Sequence, residues 1–181
     1  MTDRDAYTPA AAYGAEVQKE GDTWTLVLVR DLRHAPDKVW QALVDPAQLH
    51  EWAPFDADGR LDAAGAKVTL STVGAPQQQA AVTTIRRADA PHTLEYDWGG
   101  QKIRWELRAI AGGARLTLWH AIDRRYIAMG AAGWHICLDV LDRLVAGHPL
   151  GRIVGGEAMK FDWPRLNKQY AAQFGLEPMR P

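Results

Sequence analysis

The side chains best suited to chemistry lie in the second half of the chain. His120 ends a strand-like run over residues 115–120, and His135 sits in the helical run that follows. A histidine at a strand end beside one on a helix is an arrangement that can move protons or hold part of a metal site. Neither belongs to an H-E-x-x-H or H-x-H pattern, and Cys137 is the single cysteine, so no metal or cofactor is expected. Both histidines therefore read as structural or surface residues. Arg104, Glu106 and Arg108 alternate along one strand, with Glu95 and Asp97 on its expected neighbour. Cross-strand ion pairs on a solvent face account for that pattern; turned inward, one arginine would clamp a carboxylate ligand. The chain has no G-x-S-x-G, Walker A or helix-opening G-x-G-x-x-G motif. Residues 151–156 are glycine-rich without the Lys-Ser/Thr of a phosphate loop, and read as a flexible connection. No catalytic residue is assigned, and binding is favoured over enzymatic chemistry.

The second chemical feature is aromatic. The chain has eight Trp against five Tyr and three Phe. An indole combines a large apolar surface with one N–H donor, which suits a cavity wall that must also orient a polar group. Trp98, Trp105, Trp119 and Trp134 fall on the expected sheet and helix, with Leu138 and Leu141 on the same helical stripe as Trp134. Trp52 and Phe55, beside Pro54, would stand at a cavity mouth. Trp105 shares a strand face with Ile103 and Leu107, which favours the interior. Trp119 and His120 are adjacent and cannot both face inward, and the inward place is given to Trp119. Trp40 continues the Val39/Leu43 face of a short helix and reads as core.

The elements that must position these residues are legible from periodicity. Residues 133–145 place Trp134, Cys137, Leu138, Leu141, Leu144 and Val145 on one stripe, leaving His135, Asp139, Asp142 and Arg143 mainly outside. A strand is expected over 24–32. Pro36 suits the first turn of a helix running to Val44, and Pro46 leads into another short one. Residues 67–73, 79–87, 92–98, 101–110 and 115–122 read as strands, with Gly99-Gly100 and Gly112-Gly113 as hairpin turns. Short connections make this an antiparallel meander. A further helical stretch over 157–174 contains Pro164, which should start or kink a helix. The order is α+β, with a sheet packed on one long helix.

Length and charge narrow the functions. At 181 residues a single domain is expected, with residues 1–22 as a loosely packed arm and 23–176 as the domain, of which 147–176 is a helical extension. The 21 Lys+Arg nearly balance 22 Asp+Glu, without long single-sign runs, so neither nucleic acid nor an anionic membrane is expected as partner. No apolar run reaches the roughly 20 residues of a membrane span. The first residues lack a signal-peptide pattern, and a lone cysteine fits a reducing compartment, so a soluble cytoplasmic protein is expected.

Residues 30–46, with Ala35-Pro36, Val39-Trp40 and Asp45-Pro46, followed by Leu49 and Trp52, resemble the opening of the START-like (SRPBCC) superfamily. Within it the likeness is to bacterial relatives of the activator of the heat-shock-protein-ninety ATPase. Residues 115–120, and Gly133-Trp134 with Leu138 and Leu141, resemble that family's last strand and C-terminal helix. The likeness spans residues 23–146. It implies a helix-grip fold, a curved antiparallel sheet around the C-terminal helix with a cavity between them. With that fold, the residues read as holding a small hydrophobic or aromatic ligand through Trp52, Phe55, Trp98, Trp105, Trp119, Trp134, Leu138 and Leu141; the alternative is that the indoles fill the space and leave no pocket. Two rival roles come with the likeness: a chaperone-regulating interaction protein of the stress response, and a cyclase or hydratase on a polyketide-like substrate. The additions at both ends would cover the cavity mouth or form a homodimer contact.

Overall fold

Hydrophobic alternation builds the sheet. A computed structural model describes residues 1–180. β1 (Ala15–Glu20) and β2 (Thr23–Leu32) form a hairpin, followed by α1 (Pro36–Val44) and α2 (Pro46–Trp52). Both helices carry proline in the first turn, where a missing N–H costs nothing, and the Asp45 carboxylate accepts from the Ala47 N–H at 3.2 Å to cap α2. Then come β3 (Phe55–Ala57), β4 (Lys67–Thr72), β5 (Gln79–Thr84), β6 (Arg87–Asp89), β7 (Thr93–Trp98), β8 (Gln101–Ile110) and β9 (Gly113–Ala121). The chain ends with α3 (Ile127–Val145) and α4 (Trp163–Phe174).

The six-stranded sheet runs β1-β2-β9-β8-β7-β6, all antiparallel, and β3-β4-β5 form a second, three-stranded sheet. Leu28 and Trp105 both register with Leu118, and Leu94 registers with Trp105. One face therefore collects Leu26, Leu28, Ile103, Trp105, Leu107, Leu116 and Leu118, all buried, and α3 closes over it. At the far end the strands come close enough to require glycine: a Cβ on Gly113 would lie 1.9 Å from the Leu32 carbonyl oxygen. This is an α+β helix-grip architecture, as the sequence implied.

Four expectations need correction. The run over 79–87 is two strands, β5 and β6, and Phe55–Ala57 adds a short strand not anticipated. The arm is not wholly loose, since its residues 15–20 pair with β2. α3 begins at Ile127, a turn and a half before Gly133, and its outer side is not solvated. The arm and α4 cover that side: Tyr7 donates to Asp139 at 2.6 Å, and His135 is bonded to Tyr170 at 2.7 Å. The glycine-rich stretch is held rather than loose, because the Arg4 guanidinium donates to the carbonyls of Leu150, Gly151 and Arg152.

Candidate functional site

Between the sheet and α3, side chains from distant parts of the sequence meet. α2 supplies Trp52, β3 supplies Phe55, β7 supplies Tyr96 and Trp98, β8 supplies Trp105, and α3 supplies Trp134. Trp52 meets Trp105, Trp105 meets Trp134, Trp134 meets Trp98, and Trp98 meets Phe55, with ring centroids 5.4 to 5.9 Å apart. Most of these contacts are edge-to-face, the geometry that sets a positive ring edge on a negative ring face, worth about 0.5–1.5 kcal/mol each beyond burial. Leu138 and Leu141 are buried further along the same side of α3.

Indole donors in such a cluster need partners. Trp52 donates to the Ala42 carbonyl at 2.9 Å, Trp98 to the Thr72 hydroxyl at 2.9 Å, and Trp105 to the Tyr96 hydroxyl at 3.0 Å. Trp134 donates to Nδ1 of His120 at 3.0 Å. The expectation of free indole donors for a ligand is thus corrected: each is already bonded within the protein, and the rings pack on one another.

Trp119 is also corrected. It lies on the outer face of β9, beneath the Arg104 guanidinium at 5.3 Å, and Arg104 pairs with Glu95 and Glu106. The inward place belongs to His120, 2% exposed. The signal was available in the sequence, since Leu116, Leu118 and His120 alternate on one face. Because Nδ1 accepts from Trp134, the proton sits on Nε2, which donates to Gln101 Oε1 at 2.7 Å. Burial lowers the His120 pKa to about 4, so the ring is neutral near pH 7. Gln101, not anticipated as a site residue, carries this relay to the surface.

His135 does not join His120. It faces away from the sheet towards α4, fully buried, with Asp139 3.6 Å from its Nε2. Burial, reinforced by the Arg30 and Arg165 charges, lowers its pKa to about 3. Among the described residues no group of three or more His, Cys, Asp or Glu is placed to hold a metal ion, and no helix is long and apolar enough to cross a membrane.

Two surface concavities flank the β7–β8 turn. One, of about 400 Å³, is lined by Thr23, Trp24, Gly100, Gln101, Ile122 and Arg124, among others. The second, of about 530 Å³, lies between β5 and the β7–β8 hairpin, with Leu70, Ala81, Val82 and Asp97 in its walls. Both are open to solvent, and none of Trp52, Phe55, Trp98, Trp105 and Trp134 lines either one.

An antiparallel sheet closed by one long helix, with an aromatic interior, defines a helix-grip domain, a scaffold of the ligand-binding type. The chain belongs to the family described as activator of Hsp90 ATPase homolog 1-like protein, whose sequence profile matches residues 33–146. Among solved structures it is similar to a conserved protein of unknown function, EF2215, from Enterococcus faecalis, at 17% identity and TM-score 0.66, covering 88% of this chain and 89% of that one. CalU16 from Micromonospora echinospora matches at 21% identity and TM-score 0.60, over 92% and 96% of the two chains. MLL2253 from Mesorhizobium loti matches at 21% identity and TM-score 0.59, over 68% and 97%. At these identities the likeness is one of fold. No curated protein matches the chain.

Proposed function

We propose that this domain binds a small hydrophobic or aromatic molecule against the aromatic cluster between the sheet and α3. One observation carries the reading: the relay Trp134–His120–Gln101 links that cluster to a concavity of about 400 Å³. Trp52, Phe55, Trp98, Trp105 and Trp134 supply the apolar surface, with Leu138 and Leu141 behind them. Trp119 has no part in it. Affinity comes from apolar burial, at about 25 cal/mol per Å². Orientation comes from Gln101, whose amide N–H₂ remains able to donate once its oxygen has accepted from His120.

Native mass spectrometry, with tryptophan-quenching titrations of flavonoids, polyketides and lipids, tests this. Saturable quenching that Trp134→Ala abolishes in a folded protein supports it. No retained mass and no quenching across the panel overturns it.

A protein partner is the second reading, favoured by the family's description and by Val82, 66% exposed on β5 beside Ala80 and Ala81. Stimulation of a purified Hsp90-type ATPase by this protein, lost in Val82→Asp, would establish it. A cyclase or hydratase role has less support, because both nitrogens of the inward histidine are bonded and burial makes it a weak base. The helical extension, proposed as a homodimer contact, packs one face on its own α3 and leaves Lys168, Ala172 and Gln173 exposed for a second copy. Light scattering decides that, and fractionation of the native host tests the proposed cytoplasmic location.

A further inference from the structure

The sheet pairing gives way at one place. β6 pairs with β7 from Arg87↔Glu95, and the Arg86 N–H still donates to the Glu95 carbonyl at 2.8 Å. Towards the β7–β8 turn, side chains replace the ladder. The Asp97 N–H donates to the Thr83 hydroxyl at 3.0 Å, in place of a β5 carbonyl. The Arg86 guanidinium donates to the Tyr96 carbonyl at 3.4 Å and to the Asp97 carboxylate at 2.6 Å. Trp98 reaches across to Thr72 of the second sheet. Bonds of this kind break singly, whereas a backbone ladder has to be unzipped in register.

The wedge of about 530 Å³ lies at this seam, and Gly100 lines both it and the concavity that ends at Gln101. The turn between them is Gly99-Gly100, with φ of +58° and +76°, and a Cβ on either would meet nothing within 4 Å. Both glycines are exposed, so the turn itself packs no side chain on the body and is held through Trp98 and Gln101 on either side. Trp98 stands just before it, half-buried, with its ring 5.8 Å from both His120 and Trp134. It covers the end of the cluster where the relay begins.

We propose that the β7–β8 hairpin tip is a flap, latched to the second sheet by Thr83 and Thr72, and that its opening is the ligand's way in. The inference rests on the small-molecule reading above. Lifting the tip carries Trp98 off Trp134 and His120 and joins the two concavities into one passage. On the wedge side Leu70, Ala81 and Val82 border it, an apolar rim that suits a flat apolar molecule. Hinge motion falls to residues 96–98 and 101, flanking the two glycines, while β8 stays paired to β9 through Ile103↔His120.

Thr83→Val removes the hydroxyl latch, and Thr83→Ser restores it. Hydrogen exchange of residues 97–101 should rise about tenfold in Thr83→Val, the value of one lost hydrogen bond, and return in Thr83→Ser. Exchange in β2 and β9 should not change. Stopped-flow binding of 1-anilinonaphthalene-8-sulfonate should show association and dissociation rates both raised in Thr83→Val, with Kd held within about twofold, as a gate requires. Unchanged exchange at 97–101 overturns the flap, and so does raised exchange with an unchanged association rate. If no variant binds the probe, wild type included, the small-molecule reading fails, and with it the flap as an entrance, whatever the exchange shows.

Discussion

The indole N–H of Trp134 on α3 and Nδ1 of His120 on β9 are 3.0 Å apart, and this bond joins the helix to the last strand of the sheet. It sets the histidine tautomer and aims Nε2 at Gln101. Trp134→Phe keeps the ring and deletes the donor, leaving a buried nitrogen without a partner. The expected cost is about 1–3 kcal/mol in urea unfolding. His120→Leu in the same chain should recover part of it, because the orphaned acceptor is gone.

Stability should fall in mild acid. His120 and His135 titrate at about 4 and about 3 in the fold, against 6.5 for the free side chain. A depressed folded pKa means that the unfolded chain takes up protons first as pH falls. Their contribution is full above 6.5, is lost progressively below it, and is gone for His120 near 4 and for His135 near 3. Each should change stability by about 1.4 kcal/mol per pH unit within its window. Asp139 acts oppositely: burial raises its pKa, so its term favours the fold at low pH and is lost as pH rises through the folded value. Urea midpoints at pH 7.5, 6 and 5 should drop in sequence. His135→Gln should flatten that series, and an unchanged slope would remove His135 from the account.

Trp105 and Trp119 should differ sharply under the same substitution. Trp105 is 1% exposed inside the cluster, while Trp119 lies half-buried on the outer face under Arg104. Trp105→Ala should cost about 3–5 kcal/mol. Trp119→Ala forfeits an exposed cation–π contact of about 0.5–1 kcal/mol and some packing, and should leave ligand quenching intact. Thermal melts and one titration of each variant check this.

Tyr7→Phe tests the arm. The Tyr7 hydroxyl donates to the Asp139 carboxylate at 2.6 Å and holds its pKa below where burial alone would put it. Removing the hydroxyl should raise the Asp139 pKa further, read by NMR titration of the carboxyl carbon. It should also cost about 1–3 kcal/mol at neutral pH, where the carboxylate loses its donor.

Much of the molecule was legible in local pattern. Ile103, Trp105 and Leu107 alternating with Arg104 and Glu106 marked one face of β8 as inward and the other as an ion-paired surface, as found. Ala35-Pro36 and Asp45-Pro46 marked two helix starts, since proline sets φ and removes a donor not needed there. Those rules act over a few residues and read directly from the chain.

The rest depended on partners far away in sequence. The partner of the inward His120 is one such case, since the donor that its imidazole accepts comes from Trp134 on another element. His135 is buried because residues 1–14 and α4 fold back over α3, and nothing on α3 itself announces that cover. Whether the interior is hollow or filled was likewise a tertiary matter. It turns on how Trp52, Phe55, Trp98, Trp105 and Trp134 share one volume, and shape complementarity among distant side chains leaves no trace in periodicity. Local pattern carried most of the strands and helices, the hairpins of the meander and the types of side chain that meet in the interior, but not β1, β3 or the separate sheet of β3, β4 and β5. Which atoms of those side chains remain free to meet a ligand follows from packing, because hydrogen-bond partners are assigned only when the strands and helices close on one another.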